Sequence, residues 1–260
     1  MKTSYLIILI IGVTGVAKPN FGQKTATTSS EITIAAASDL RFAMDSLVGI
    51  FEKSHPDCRV TVIYGSSGRF FQQIVNGAPF DLFFSADKEY PMQLQVKKLT
   101  AAPMQLYAIG RLVLWSKKLD PSAKGMNTLL EASIGKIAIA NPEHAPYGKR
   151  ARESLIHYKL YDKVKAKIVL GENISQTAQY VTTGAADVGI LALSLAINPA
   201  LQRSGKYYLI PENSHTPLEQ AYVVLGQARN RPTAQTFATF IASPAARQVF
   251  RQFGFTLPKL

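Results

Sequence analysis

Residues 31–51, EITIAAASDLRFAMDSLVGIF, place a strand directly before a helix. Residues 31–37 are apolar and partly β-branched, which favours a strand. The next apolar side chains then follow the period of an α-helix, at Leu40, Ala43, Met44, Leu47, Val48 and Phe51. Ser38 stands between the two patterns and is predicted to be the N-cap of the helix.

The same order recurs along the rest of the chain. Residues 59–64 (RVTVIY) and 81–84 (DLFF) are predicted strands, and each runs into small or hydroxyl residues, GSSG and SAD, before a helix. Further strands are predicted at residues 112–115, 136–140, 167–170 and 187–191. Strands separated by helices predict an α/β protein with mostly parallel sheets. The last helix is predicted to have Ser243 as N-cap, Pro244 at its first position and Gly254 just past its end.

The first thirty residues have a different character. A thirteen-residue uncharged run, residues 5–17, lies between Lys2 and Lys18. A membrane span needs roughly 20 apolar residues, whereas a secretory signal has a basic start and an apolar run of about 7 to 15. We therefore expect residues 1–30 to be a signal peptide and polar lead, cut after Ala17 or near Gln23. An uncleaved membrane anchor is the alternative.

Composition narrows the possible functions. The 260 residues are 47% apolar and 18% charged, which predicts a globular core, and a single cysteine excludes an intrachain disulfide framework and a cysteine-based zinc site. The net charge is +12, and loss of the three lysines within residues 1–30 leaves +9. Basic clusters such as Lys149, Arg150 and Arg152 have no interleaved aromatic residues to stack on bases, so we expect a solvated surface and no nucleic-acid partner.

Motifs for common chemistries are absent from the sequence. It contains no dinucleotide-binding, P-loop or H-E-x-x-H pattern, and GSSG at residues 65–68 is one residue too short for a nucleophile elbow. Four histidines are scattered, and only His144 falls in a loop at the expected mouth of the sheet. A serine-dependent hydrolase is kept as a minor alternative, because triads are recognised by geometry and not by sequence order.

Helix starts supply the remaining chemistry. Their unpaired N–H groups and positive dipole end bind anions without charged side chains. Ser38 and Ser67 add hydroxyl groups at two such starts, beyond the carboxyl ends of predicted strands, where α/β proteins bind ligands. Either serine alone could be only a cap. Together with Ala86 and the turn at Tyr147, they predict one anion site built from neutral donors.

Five segments resemble the periplasmic molybdate-binding proteins: AAASDL (residues 35–40), YGSSGRFFQQI (64–74), GAPFDLFFSAD (77–87), NPEHAPYG (141–148) and FGF (253–255). The resemblance covers residues 31–260. It implies a two-lobed class II periplasmic-binding-protein fold with the ligand cleft between the lobes. We place lobe 1 at residues 31–111 plus 222–260 and lobe 2 at residues 112–221, with crossings near residues 111–114 and 222–225.

The resemblance also implies a set of binding residues. Ser38 and Ser67 would give hydroxyl and backbone donors, Ala36 and Ala86 main-chain groups, and Tyr147 and Ile174 backbone N–H groups. The sequence departs from the family at Ala192, where many relatives have a tyrosine whose hydroxyl binds the anion. The hydroxyl of Tyr147 is a hypothetical replacement.

The implied function is capture of molybdate, and of tungstate, without chemistry. Hydrogen bonds would hold the oxyanion, with no direct metal ligand and no cofactor. The implied partner is the membrane permease of an ABC importer, and the protein is expected to be a periplasmic monomer. The alternative within the same class is another tetrahedral oxyanion such as sulfate, which is smaller.

Overall fold

The computed structural model describes residues 30–258, and the predicted signal peptide lies outside them except for Ser30. The strands of this part of the chain are β1 Ser30–Ala37, β2 Cys58–Gly65, β3 Leu82–Ser85, β4 Gln105–Gly110, β5 Leu112–Ser116, β6 Ile137–Ala140, β7 Ile168–Gly171, β8 Val188–Ala192, β9 Lys206–Leu209 and β10 Leu218–Val224. Its α-helices are α1 Arg41–Ser54, α2 Ser67–Val75, α3 Glu89–Val96, α4 Pro146–His157, α5 Tyr161–Val164, α6 Ile174–Thr182, α7 Leu193–Ala196, α8 Pro199–Ser204, α9 Pro232–Ile241 and α10 Pro244–Gln252.

The strands form two five-stranded sheets of matching design, flanked by helices. The first has the order β2-β1-β3-β10-β4 and the second the order β7-β6-β8-β5-β9. The two-lobed α/β fold is therefore confirmed. Each sheet is mixed, however, and not mostly parallel, since two of its four strand pairs are parallel and two are antiparallel. The antiparallel pairs arise because β10 and β5, which adjoin the crossings between lobes, insert against the direction of their neighbours.

The first strand and helix form as predicted, with one correction at their junction. Along α1 the apolar stripe is buried, and Leu47 and Phe51 are fully covered. Ser38 is not the N-cap of this helix, because a 3-10 turn, Ser38–Leu40, intervenes and the α-helix begins at Arg41. The Ser38 hydroxyl instead reaches the other lobe, as described below.

The last helix confirms its predicted caps. Ser243 Oγ accepts a hydrogen bond of 3.2 Å from the N–H of Ala246, and Pro244 is the first helical residue. Gly254 follows the helix with a φ of +77°, a left-handed conformation that favours glycine.

The chain passes from the second lobe back to the first at a different place from the one predicted. The chain leaves the first sheet at Gly110 and enters the second at Leu112. It returns before Leu218, because Leu218–Val224 is a strand of the first sheet and Tyr222 pairs with Phe84 of β3. The predicted crossing at residues 222–225 is thus wrong: this apolar segment is buried between β3 and β4 instead of linking the lobes.

Each lobe has its own apolar core. Phe51, Phe84 and Phe237 are fully buried in the first, and Trp115 is fully buried in the second. Among the helices of residues 30–258, none combines the length and apolarity that a membrane crossing requires. Since the parallel strands of both sheets direct their carboxyl ends toward the same region, the loops that follow them meet between the lobes.

Candidate functional site

A small cavity lies where the two lobes meet. Its volume is about 10 Å³, about the space of one water-sized sphere. It is lined by Ala37, Ser38, Asp39, Gly65, Ser66, Ser67, Ala86, Ala145, Pro146, Tyr147, Asn173 and Ile174. These residues follow the carboxyl ends of parallel strands in both sheets, the usual ligand position in α/β proteins. Pockets for drug-sized molecules measure roughly 300–1,000 Å³, so the cavity is far too small for a ligand of that size. No Lys or Arg is among its lining residues.

Three helices begin at the cavity, and in each of them one residue of the cavity wall has a backbone N–H without a protein partner among residues 30–258. At the start of α2, Gly68 N donates to His144 O, which leaves the N–H of Ser67. In α4, Gly148 N donates to Ala145 O, which leaves the N–H of Tyr147. Three such N–H groups, each at the positive end of a helix dipole, are an arrangement that favours an anion.

The third of these helix starts, that of α6, is organised by an asparagine. Asn173 caps the helix, and its Oδ1 accepts from the N–H groups of Ser175 and Gln176. The N–H of Ile174 is therefore the one left at this terminus. Asparagine is among the most favourable N-cap residues, which explains why the helix starts here.

Ser67 contributes an oriented hydroxyl. Its Oγ accepts a hydrogen bond of 3.0 Å from the N–H of Ala86, and both residues are buried in the cavity wall. Because that oxygen already accepts, its own proton is left to donate. Ala86 was expected to contribute main-chain groups near the anion. Its N–H donates to Ser67 Oγ, so it orients that hydroxyl and is not itself free to donate to a ligand.

Ser38 bridges the lobes. Its hydroxyl donates to Asn173 Oδ1 at 3.1 Å, and its carbonyl accepts from Ser175 Oγ at 3.0 Å. Because the Ser38 hydroxyl proton is used in the hydrogen bond to Asn173 Oδ1, it is not directed into the cavity. Ser38 therefore lines the cavity and also joins the two walls that enclose it.

One predicted binding position, Ala36, and the departure at Ala192 lie outside the cavity wall. Ala36, which was expected to contribute main-chain groups, is fully buried within β1 and paired on both sides, with Tyr64 and Phe84. Its place in the wall is taken by Ala37. Ala192, where many relatives were expected to have a tyrosine, is likewise fully buried, at the end of β8.

The Tyr147 hydroxyl points to a buried carboxyl. It donates to Asp39 Oδ2 at 3.0 Å, and Gln220 Nε2 donates to the same oxygen at 2.7 Å. Gln220 is oriented by Tyr107, whose hydroxyl donates to Gln220 Oε1 at 2.7 Å. The hypothesis that the Tyr147 hydroxyl replaces the missing tyrosine donor is thus not supported, because this hydroxyl gives its proton to Asp39.

The sequence pattern did not single out Asp39 or Gln220. Asp39 follows Ser38 in the quoted stretch, and Gln220 is a polar residue within an otherwise mostly apolar strand, fully buried in the structure. A polar residue in a buried strand was the available signal, since such groups need hydrogen-bond partners.

Burial changes the pKa of these groups. It raises the pKa of Asp39 to about 7, against the opposing effects of hydrogen bonds from Gln220 and Tyr147 and of the backbone N–H groups of Asp39 and Leu40. It also raises the pKa of the Tyr147 and Tyr107 hydroxyl groups well above the ordinary value, with the Asp39 carboxyl adding to the effect in both. The two tyrosines are therefore neutral donors at any physiological pH.

The rim of the cavity also ties the lobes together. Gly68 N donates to His144 O at 2.9 Å, and a Cβ at Gly68 would lie only 2.6 Å from that carbonyl, so a larger residue would hold the lobes apart. Arg69 Nε pairs with Glu172 Oε1 at 2.8 Å. Both side chains of this pair are substantially exposed, and exposed pairs contribute about 0–1 kcal/mol.

Ser66, His144 and Glu172 form a row that superficially resembles a catalytic triad. Ser66 Oγ lies 2.9 Å from His144 Nδ1, and His144 Nε2 lies 3.5 Å from Glu172 Oε2. The Ser66 proton, however, is donated to the carbonyl oxygen of His144 at 2.6 Å. A carbonyl does not take up that proton, so the arrangement does not activate Ser66 as a nucleophile. Burial lowers the pKa of His144, with Glu172 opposing the effect.

A larger groove of about 480 Å³ adjoins the cavity, between α1 and α6. It shares Asn173 with the cavity and is open to solvent, and Arg41 and Phe42 form its first-lobe side. The smaller cavity is the candidate site because the N–H groups of Ser67, Tyr147 and Ile174 meet there, although its volume is the lower of the two. Among the described residues, no cluster of three or more His, Cys, Asp or Glu side chains could hold a metal ion.

Two α/β lobes joined by two chain crossings, with a small cavity lined by both, define the class of two-lobed solute-binding proteins. Residues 32–256 match the family described as bacterial extracellular solute-binding protein, and the chain belongs to that family.

Individual relatives agree with this assignment. The chain is 33% identical over 233 residues to the molybdate-binding protein ModA of Azotobacter vinelandii, covering 89% of this chain and 92% of the relative. It is 34% identical to the ModA protein of Rhodobacter capsulatus, covering 75% of this chain and 77% of the relative. The solved structure of the Azotobacter vinelandii periplasmic molybdate-binding protein superposes with a TM-score of 0.83 at 33% identity, over 88% of this chain and 100% of that one. The resemblance to periplasmic molybdate-binding proteins is confirmed.

Proposed function

We propose that this protein binds molybdate, and tungstate, in the cavity between its lobes. The observation that carries the proposal is the convergence of the unpaired N–H groups of Ser67, Tyr147 and Ile174 with the Ser67 hydroxyl on one small cavity that no cation lines. The names of the relatives support molybdate as the anion.

The four donors supply free energy of the same order as micromolar binding requires. A hydrogen bond to a charged group contributes about 1.5–3 kcal/mol, so four donors contribute about 6–12 kcal/mol before the costs of desolvation and ordering. Micromolar affinity corresponds to about 8 kcal/mol. The oxyanion is held through its oxygens, and the metal atom has no protein ligand.

Isothermal titration of the purified protein tests the proposal. We expect a dissociation constant in the micromolar range or below for molybdate and tungstate, and weaker binding of sulfate because the smaller anion reaches fewer donors at once. Absence of heat with molybdate contradicts the proposal. Tighter binding of sulfate than of molybdate would assign the cavity to the alternative oxyanion.

We further propose that the bound anion is delivered unchanged to the membrane permease of an ABC importer, and that export through the N-terminal signal places the protein in the periplasm as a monomer. The family match and the periplasmic relative support this. Mass spectrometry of the exported protein, with the first residue located between Lys18 and Ser30, tests the export step.

A serine hydrolase on the same scaffold remains the competing hypothesis. The Ser66–His144–Glu172 row favours it by proximity, whereas the direction of the Ser66 proton opposes it. Turnover of phosphate or carboxylic esters that is lost in Ser66→Ala would support the hydrolase, and binding of molybdate without turnover would exclude it.

A further inference from the structure

Asp39 is a carboxyl group buried in the wall of the anion cavity. The residue is 1% exposed and belongs to the 3-10 turn between β1 and α1. Its Oδ2 accepts two hydrogen bonds, from Tyr147 and Gln220, whereas its Oδ1 has no hydrogen-bond partner in the described chain. A buried carboxylate with an unpaired oxygen is costly, and protonation removes that cost.

The surroundings supply no compensating cation. The groups that face Asp39 are Tyr107 from β4, Tyr147 from α4, Gln220 from β10 and Ser194 from α7, whose hydroxyl donates to the Asp39 carbonyl. Across residues 30–258, no Lys, Arg or His hydrogen-bonds or ion-pairs with its carboxyl. Arg41, two residues further along the chain, lies over the Tyr64 ring, and Arg111 pairs with Glu212.

A bound dianion adds a like charge beside this carboxyl. Burial already raises the pKa of Asp39 to about 7, and a second negative charge within the same cavity raises it further. The hydroxyl groups of Tyr107 and Tyr147 are already protonated in this pH range, so they do not take up the added proton. Near neutral pH, the anion-bound form therefore holds Asp39 as the neutral acid, while the anion-free form is partly ionised.

We propose that capture of the oxyanion takes up one proton from solvent, which resides on Asp39, so that the cavity closes around the dianion together with a proton. The proton goes to Oδ1, because Oδ2 already accepts two hydrogen bonds. The neutral O–H group then adds a donor beside the anion in place of a repelling charge. This inference rests on the proposed function, since it names the proton linkage of that same site.

The linkage has a defined sign. Below the pKa of Asp39 in the anion-free protein, both forms are protonated and the affinity does not depend on this group. Between that pKa and the higher pKa of the anion-bound form, binding takes up a proton, so each unit of rising pH weakens binding by up to tenfold. Affinity is therefore greatest on the acidic side and falls above about pH 7.

Calorimetric titration with sodium molybdate tests the proposal between pH 6 and pH 9, in pairs of buffers with different ionisation enthalpies. The wild-type protein is expected to take up close to one proton per anion at the alkaline end. Asp39→Asn keeps the shape and the hydrogen-bonding capacity of the neutral acid, so it is expected to take up no proton, to bind with constant affinity, and to exceed the wild type at pH 9 by tenfold or more. Any proton uptake that remains in Asp39→Asn measures protonation of the anion itself.

Asp87→Asn is the matched control. Asp87 is also buried, with its pKa raised by burial, but it does not line the cavity. We expect this variant to keep the proton uptake of the wild type. If Asp39→Asn does not fold, Tyr147→Phe serves instead: it removes a hydrogen bond that lowers the Asp39 pKa, so the decline in affinity should begin at a higher pH.

The outcomes separate the two proposals. One outcome is that the wild type binds molybdate without taking up a proton and that its affinity varies with pH in the same way as that of Asp39→Asn. This outcome overturns the proton linkage and leaves the proposed function intact. Loss of proton uptake in Asp87→Asn as well as in Asp39→Asn overturns the assignment to Asp39. Absence of molybdate binding at every pH overturns the proposed function, and the linkage with it.

Discussion

The hydroxyl oxygen of Ser67 accepts a hydrogen bond of 3.0 Å from the backbone N–H of Ala86, which belongs to the loop after the neighbouring strand. This contact fixes the serine oxygen as an acceptor on one side and leaves its proton for the cavity on the other. A hydroxyl that served only as a helix cap would accept from the N–H groups of its own helix, which Ser67 does not.

Ser67→Ala should therefore weaken molybdate binding. The lost hydrogen bond to a charged group is worth about 1.5–3 kcal/mol, which corresponds to a loss of roughly ten- to hundredfold in affinity. Titration calorimetry measures the change. Ser46→Ala is the control, because the Ser46 hydroxyl bonds only to Phe42 O within α1, and its affinity should equal that of the wild type. Equal affinities for all three proteins would assign Ser67 a purely structural role.

Gly110→Ala should impair closure of the lobes. A Cβ at this first-lobe position would overlap the Tyr147 hydroxyl of the second lobe and lie 2.8 Å from Gln220 Nε2. Overpacking of this kind costs about 1–3 kcal/mol, so we expect affinity to fall by about tenfold or more.

Gly49→Ala provides the comparison for that variant. Gly49 lies in α1 and is exposed, and a Cβ added there would meet no atom within 4 Å. The substitution should raise the free energy of unfolding by about 0.5–1 kcal/mol and leave the affinity unchanged. Wild-type affinity in Gly110→Ala would show that the Tyr147 region can shift without cost.

Asp39→Asn should stabilise the ligand-free protein in a pH-dependent way. The pKa of Asp39 is about 7 in the folded protein and about 3.9 for an unfolded aspartate. Between these values the folded state binds more protons, so wild-type stability falls as pH rises, by up to about 1.4 kcal/mol per unit. The asparagine variant lacks this loss, and its advantage should grow from pH 4 to pH 7 and then level off.

Denaturant unfolding of the two proteins at several pH values measures this difference. Asp120→Asn is the control: Asp120 is fully exposed, and hydrogen bonds from Ser122 lower its pKa, so removing it gives no advantage at high pH. An advantage of Asp39→Asn that does not vary with pH would mean that the carboxyl titrates normally in the folded protein.

Salt should act mainly on the association rate. The net charge of +9 beyond the first thirty residues creates a field that steers a dianion, but no Lys or Arg lines the cavity. Stopped-flow measurements at increasing ionic strength should show slower association of molybdate with little change in its dissociation. Equal effects on both rates would leave the basic surface without a role in capture.

Local patterns in the sequence determined much of the fold. The alternation of strand and helix periods, the cap at Ser243 and the positive-φ glycine at Gly254 are set by neighbouring residues, so they can be read from short segments. Five of the six expected binding positions line the cavity, because helix starts after parallel strands converge whatever the distant sequence is. The sixth, Ala36, is one residue too early along its strand.

The tertiary structure alone decided how those positions are used. Tyr147 and Asp39 are 108 residues apart, and Gln220 and Asp39 are 181 apart, so no local pattern predicts their hydrogen bonds. The same holds for the second crossing, since Leu218–Val224 reads as a buried strand in either lobe until its partners β3 and β4 are known. The sequence by itself predicted an anion site of neutral donors. Only long-range packing placed the Asp39 carboxyl in the cavity wall and directed the Tyr147 hydroxyl to Asp39 and the Ala86 N–H to Ser67.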